Sequence, residues 1–149
     1  MRQVDQDELT YQIFSGLRRW TPSVRKRVFA PPHKRHPFAW GAAADGICGS
    51  LRTWDFIDPA DPQTPLSLDQ ISNLFEAAIA DFPGAVARLW LSGQRDRERE
   101  AHAATAIFLA QSLDHLEVLS DTEIVHLGVQ RLYFPQIEAP AHAFAAHWP

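Results

Sequence analysis

The chain has 149 residues, of which 46% are hydrophobic and 21% charged, and its formal net charge is −4. That balance fits one compact domain, or two small helical lobes sharing a core, and excludes an intrinsically disordered chain. No apolar run approaches the length of a membrane helix, and Met1-Arg2-Gln3-Val4-Asp5 lacks a signal-peptide core. The lone Cys48 leaves no internal disulfide and no multi-cysteine zinc site, so a reducing cytoplasm is the expected setting.

The net charge hides a split. Residues 1–52 carry nine Lys/Arg against four Asp/Glu, a balance of +5, and residues 53–149 carry five against fourteen, a balance of −9. Such asymmetry points to two different surfaces.

The first predicted helix runs from about Asp7 to Trp20, where Leu9, Ile13, Leu17 and Trp20 make one apolar stripe. Thr21-Pro22 reads as an N-cap followed by proline in the first turn. A short helix to Phe29 follows, with Val24 and Val28 inward and Arg25, Lys26 and Arg27 fanned outward. Pro31-Pro32 stops it, and His33-Lys34-Arg35-His36-Pro37 is a basic loop. Trp40, Ala44, Ile47, Leu51 and Trp54 then fall at helical steps. Residues 55–65 hold three Asp and three Pro and mark a linker between lobes.

Ser67-Leu68-Asp69-Gln70 is a capping box. It opens the cleanest amphipathic helix in the chain, through Ile71, Leu74, Phe75, Ala78, Ile79 and Phe82. Pro83-Gly84 ends that helix, and Val86, Leu89 and Trp90 mark a short one stopped near Gly93. A long helix is expected from about Arg95 to Leu113. Its Ala101–Ala110 stretch is apolar nearly all round, the pattern of a helix at the centre of a bundle. Ser120-Asp121-Thr122-Glu123 reads as a second capping box, before a helix with Val125, Val129 and Leu132 inward. Strands are possible at 51–57 and 114–119, although neither stretch alternates clearly. The expected fold is all-α: a small helical bundle of two packed lobes, a basic one over 1–60 and an acidic one over 61–149.

No catalytic constellation is present. His33 and His36 have a two-ligand spacing, but zinc normally takes four ligands and the flanking cations repel a metal. Glu123 and His126 match the Glu-x-x-His element of di-iron bundles, which needs a second copy and two further glutamates. Glu98 and His102 do not complete that set. Cys48, between glycines and apolar residues, reads as a buried, inert thiol. Asp96 and Glu100 lie in an arginine-rich helix start where ion pairing explains them. No nucleophile elbow, phosphate loop or dinucleotide fingerprint occurs. A non-catalytic protein without metal or cofactor is therefore expected.

Two basic stretches remain. Arg18, Arg19, Arg25, Lys26, Arg27, Lys34 and Arg35 run without an intervening acid. In Arg95-Asp96-Arg97-Glu98-Arg99-Glu100 the signs alternate, with Arg95, Arg99 and His102 on one helical stripe. Either is a solvated face or a rail for phosphates.

The order of elements over 83–148 resembles the small subunit of class 1 CRISPR effector complexes of the Cascade type. A short helix ends in Leu89-Trp90-Leu91, an Arg/Asp-rich turn spans Gln94–Arg99, and a long helix follows. A linker, a helix ending Arg131-Leu132-Tyr133 and a tail at Trp148 complete the order. Thr64-Pro65-Leu66-Ser67-Leu68 sits where that family has a Ser-Leu element. The tail departs from the family in offering only His147-Trp148. The resemblance implies a non-enzymatic subunit that stacks on copies of itself beside other protein subunits. It would line the path of guide RNA and target DNA and grip their backbone without reading bases. The alternative from another class is a cytoplasmic immunity or inhibitor protein, whose −9 half covers a basic active site on a toxin or enzyme.

Overall fold

The computed structural model describes residues 1–29 and 37–121. The basic loop at 33–36, with Lys34 and Arg35, lies outside the described residues. So do Glu123, His126 and the helix expected after them.

The structure is a mostly helical bundle with a small sheet added. Helix α1 (Gln6–Leu17) starts where the Asp5 side chain accepts the Glu8 backbone N–H at 2.8 Å. The acidic Asp7 and Glu8 stand in its first turn, where the helix dipole favours them. Its stripe of Leu9, Ile13 and Leu17 is buried. The predicted N-cap of α2 (Pro22–Val28) is present: Thr21 Oγ1 accepts the Val24 N–H at 3.2 Å, with Pro22 in the first turn. Helix α3 (Pro37–Cys48) buries Ala43, Ala44 and Ile47.

The capping box at Ser67 is formed in both directions. Ser67 Oγ accepts the Gln70 N–H at 3.2 Å, and Gln70 Oε1 accepts the Ser67 N–H at 2.8 Å. It opens α4 (Leu68–Ala80), whose Ile71, Phe75 and Ile79 are buried. Helix α5 (Gly84–Leu91) and helix α6 (Arg95–Gln111) are joined at Gly93, whose φ of 72° is the left-handed conformation that glycine takes without steric cost. Helix α6 packs against α1, α4 and α5. Ala101, Ala103, Ala104, Ala106, Leu109 and Ala110 are buried, as expected of the central helix. Small alanine side chains let three neighbours come close to one axis.

Two features differ from expectation. First, α3 stops at Cys48, and the chain turns through Leu51 into strand β2 (Trp54–Ile57). Leu51 and Trp54 are both buried, but they reach the core from a turn and a strand rather than from one helical stripe. Second, a three-stranded antiparallel sheet joins β1 (Arg2–Gln3), β3 (Glu117–Ser120) and β2 in the order β1-β3-β2. The register pairs Trp54 with Ser120 and Phe56 with Val118, and all four side chains are buried. Asp55–Ile57 therefore belongs to the sheet and not to the linker. Ser120 ends a strand, and the residues completing its expected capping box lie outside the described ones. The Leu66 N–H donates to Phe56 O at 2.8 Å, so the loop after β2 folds back over that strand's outer edge.

The buried residues of these elements form one cluster, from Leu9 and Ile13 through Ile47 and Phe75 to Leu109 and Val118. Within that cluster α1 and α3 touch closely. Gln12 Nε2 donates to Ser50 O at 2.9 Å, and a Cβ at Gly16 would stand 2.8 Å from Ser50 Oγ. Glycine at 16 is what allows the approach.

Cys48 is buried, and burial, reinforced by the nearby Asp45 carboxylate, pushes its thiol up to about 12. Since the thiolate is the nucleophile, folded protein at pH 8 is expected to react with an aromatic disulfide reagent far more slowly than urea-unfolded protein. Equal rates in the two states would contradict the packing of Cys48 under α4.

Candidate anion-binding cleft

The site starts from an aromatic lattice. Trp90 of α5 donates its Nε1–H to Thr105 Oγ1 of α6 at 2.9 Å, which satisfies a polar group that burial would otherwise penalise. Its ring stacks on Phe29 at 5.6 Å with 16° between planes, and meets Trp20 at 5.7 Å. Trp20 in turn donates to Ala43 O of α3 at 3.1 Å. Trp90 thus ties the end of α1, the end of α2 and the face of α6 to one point.

On the outer side of that lattice lies His102 of α6. Its ring is 4.5 Å from Trp90 and meets Phe14 of α1 edge-on at 6.0 Å. Burial, with Arg25 and Arg18 adding to it, pushes the imidazole down to about 4, although Glu98 pulls the other way. His102 is therefore neutral at pH 7, a flat aromatic wall rather than a cation.

His102 and Phe14 line an open cleft of about 440 Å³ together with Arg18, Arg95, Asp96, Glu98 and Arg99. Arg18 arrives from the C-terminal end of α1, and Arg95 and Arg99 from the first turns of α6. The one-stripe placement of Arg95, Arg99 and His102 puts all three on the same wall. Arg18, Arg95 and Arg99 are exposed, and no carboxylate among the described residues forms an ion pair with them. An anion meets three cations here, set against Asp96 and Glu98.

The other basic residues part company. Arg25 is not an outward cation. Its guanidinium lies over the Trp90 ring at 5.5 Å and donates to Glu98 Oε1 at 3.4 Å, leaving the side chain 21% exposed. No acceptor among the described residues reaches its Nε. Trp90, far away in sequence, draws Arg25 inward by a cation–π contact that the local pattern of α2 could not reveal. Arg19 places its guanidinium against Gly49, just past the C-terminal end of α3, where a cation complements the helix dipole. Lys26 and Arg27 are exposed on α2, outside the cleft. Sequence reasoning missed His102 and Phe14 as parts of the site. The stripe carrying His102 was visible, but its aromatic neighbours come from other helices.

Among the described residues no group of three potential metal ligands gathers, and no helix is long and apolar enough to cross a membrane. No protein-family model, curated protein or solved structure matches the chain.

Two outcomes follow from this geometry. Arg25→Ala is expected to destabilise the fold by about 1–2 kcal/mol, through lost packing on Trp90 and an unpaired Glu98. Lys26→Ala and Arg27→Ala should stay within about 0.5 kcal/mol. Urea titrations of the three variants check this, and equal effects would remove Arg25 from the lattice. His102 has a folded pKa below its unfolded value near 6.5, so the unfolded chain binds its proton first as pH falls. Its contribution to stability is present above about pH 6.5 and is lost on the way down to about pH 4. His102→Phe is expected to flatten that part of a stability–pH curve, and an unchanged slope would place the ring in solvent.

Proposed function

We propose that this chain is a non-catalytic subunit that grips a nucleic-acid backbone. The observation that carries the reading is the convergence of Arg18 with Arg95 and Arg99 on one cleft. One member of the first basic stretch and two of the second, separated by most of the described sequence, come together at one place, on helices held by a shared core. Phosphate recognition needs spaced cations on a rigid surface and no base-reading motif. The exposed Lys26 and Arg27 on α2 extend the basic surface beyond the cleft.

The assembly proposed for it is a class 1 CRISPR-type ribonucleoprotein in the cytoplasm, with guide RNA and target DNA as ligands and other subunits or copies of itself as neighbours. That setting rests on the order of elements from Leu89-Trp90-Leu91 through Gln94 into the Arg/Asp-rich start of the long α6. The acidic remainder of the surface would direct one face toward nucleic acid and keep the others off it.

The test is an anisotropy titration of single-stranded RNA, single-stranded DNA and duplex DNA at several salt concentrations. It compares the wild type with an Arg18→Ala, Arg95→Ala, Arg99→Ala variant. The variant is expected to bind more weakly at low salt and to lose up to about 0.7–0.9 log units of salt slope per removed contact. Sequence preference should not change, because phosphate contacts carry none directly. Identical curves would leave these arginines as a solvated face and move the inhibitor reading ahead. Recovery of a guide RNA with larger subunits from native purification would place the chain in the assembly, and recovery of one tight toxin partner would replace it.

A further inference from the structure

A phosphate-gripping surface needs cations but no aromatic wall, and this cleft has one. The half-buried His102 lines a space that three exposed arginines also line. We propose that the cleft takes one phosphorylated nucleoside unit, with its phosphate on Arg18, Arg95 and Arg99 and its base against the His102 wall. This deepens the backbone reading and rests on it for the phosphate half.

Three observations support the base half. The space, at about 440 Å³, falls in the range of small-ligand pockets, roughly 300–1,000 Å³, and is larger than a lone phosphate needs. The His102 ring is held before any ligand arrives, by Trp90 at 4.5 Å and Phe14 at 6.0 Å, while Trp90 is itself fixed by Thr105. A ring already in place loses little freedom on stacking. The ring is also uncharged at neutral pH, so it offers a π-face and does not merely add a fourth cation. Such a unit has two sources, a free nucleotide or an end or unpaired residue of a polynucleotide. The chemistry recognised is the same.

The full chain is titrated calorimetrically with adenosine 5′-monophosphate, ribose 5-phosphate and inorganic phosphate, and with a 5′-phosphorylated trinucleotide. The monophosphate is expected to bind at least about fivefold tighter than ribose 5-phosphate, the low end of aromatic stacking. His102→Ala should erase that advantage. His102→Phe, which keeps a flat ring and guards against misreading a folding defect, should retain it. Arg99→Gln should weaken both ligands. Arg97→Gln should change neither, since Arg97 is exposed, bonds Gln94 and lies outside the cleft. A tighter trinucleotide assigns the site to a polynucleotide, and equal affinity to the free nucleotide. Both outcomes support the proposal. Equal binding of the monophosphate and ribose 5-phosphate overturns it. In that case, salt-dependent binding of duplex DNA would leave the backbone reading standing. Absence of binding by every phosphate-bearing ligand would remove both.

Discussion

The indole of Trp90 is the contact on which the placement of the basic surface depends. Its N–H is committed to Thr105, its ring stacks on Phe29, and it meets Trp20 and His102 at a tilt. These partners come from three segments: Trp20 from the end of α1, Phe29 from the end of α2, and His102 and Thr105 from the middle of α6. Phe29 continues the lattice to Phe82 at 5.4 Å and from there to Phe108 at 5.0 Å. Tilted and stacked aromatic pairs each add about 0.5–1.5 kcal/mol beyond their area burial. Several of them meeting at one ring make that ring a poor place to tolerate a smaller side chain. The geometry of Arg18 relative to Arg99 is inherited from this lattice, since neither arginine is held by an ion pair among the described residues.

The same lattice sorts the cations. An arginine within reach of an indole face and a carboxylate becomes part of the structure, as Arg25 does. One that faces a helix C-terminal end, such as Arg19, has a local electrostatic reason to be there. Arg95 and Arg99, at the N-terminal end of α6, have neither, and with Arg18 from the C-terminal end of α1 they share a cleft with a neutral imidazole. The low pKa of His102 belongs to the same logic. A charged imidazole would stand against Arg25 and Arg18 in a half-buried place, so the fold is most stable with His102 uncharged.

Much of the helical framework was legible in the sequence because its signals are local. The Ser67–Gln70 box, the Thr21-Pro22 start and the alanine-rich stretch of α6 each act within a few residues, and each is realised. The sheet was legible only as two possible strands, at 51–57 and 114–119, and the all-α expectation passed it over for a different reason. Trp54 continues the helical spacing of Trp40, Ala44, Ile47 and Leu51, so the periodic pattern masks the short alternation of Trp54-Asp55-Phe56-Ile57. Its partner, Glu117–Ser120, is remote in sequence, and β1 supplies only Arg2 and Gln3 at the other edge. Strands of four and two residues carry too little pattern to declare themselves without their neighbours. The site was half legible. The stripe of Arg95, Arg99 and His102 follows from helix geometry, whereas the arrival of Arg18 and Phe14 from α1 depends on how two helices pack. The inward turn of Arg25 depends on Trp90, which no local rule connects to it.

The acids within the cleft shape what it can select. Asp96 and Glu98 stand among the arginines, and Glu98 is already engaged with Arg25 at 3.4 Å. A cleft of pure cations draws in any anion, and exposed charges of that kind are largely screened at physiological salt. Interleaved carboxylates reduce that general pull. They leave a ligand that must place its charge near Arg18, Arg95 and Arg99 while keeping clear of Asp96. Such an arrangement trades affinity for position, because like charges brought together cost more than a distant favourable field returns. The proposed role, holding a backbone in one register within a larger assembly, is served better by that trade than by a uniformly basic face.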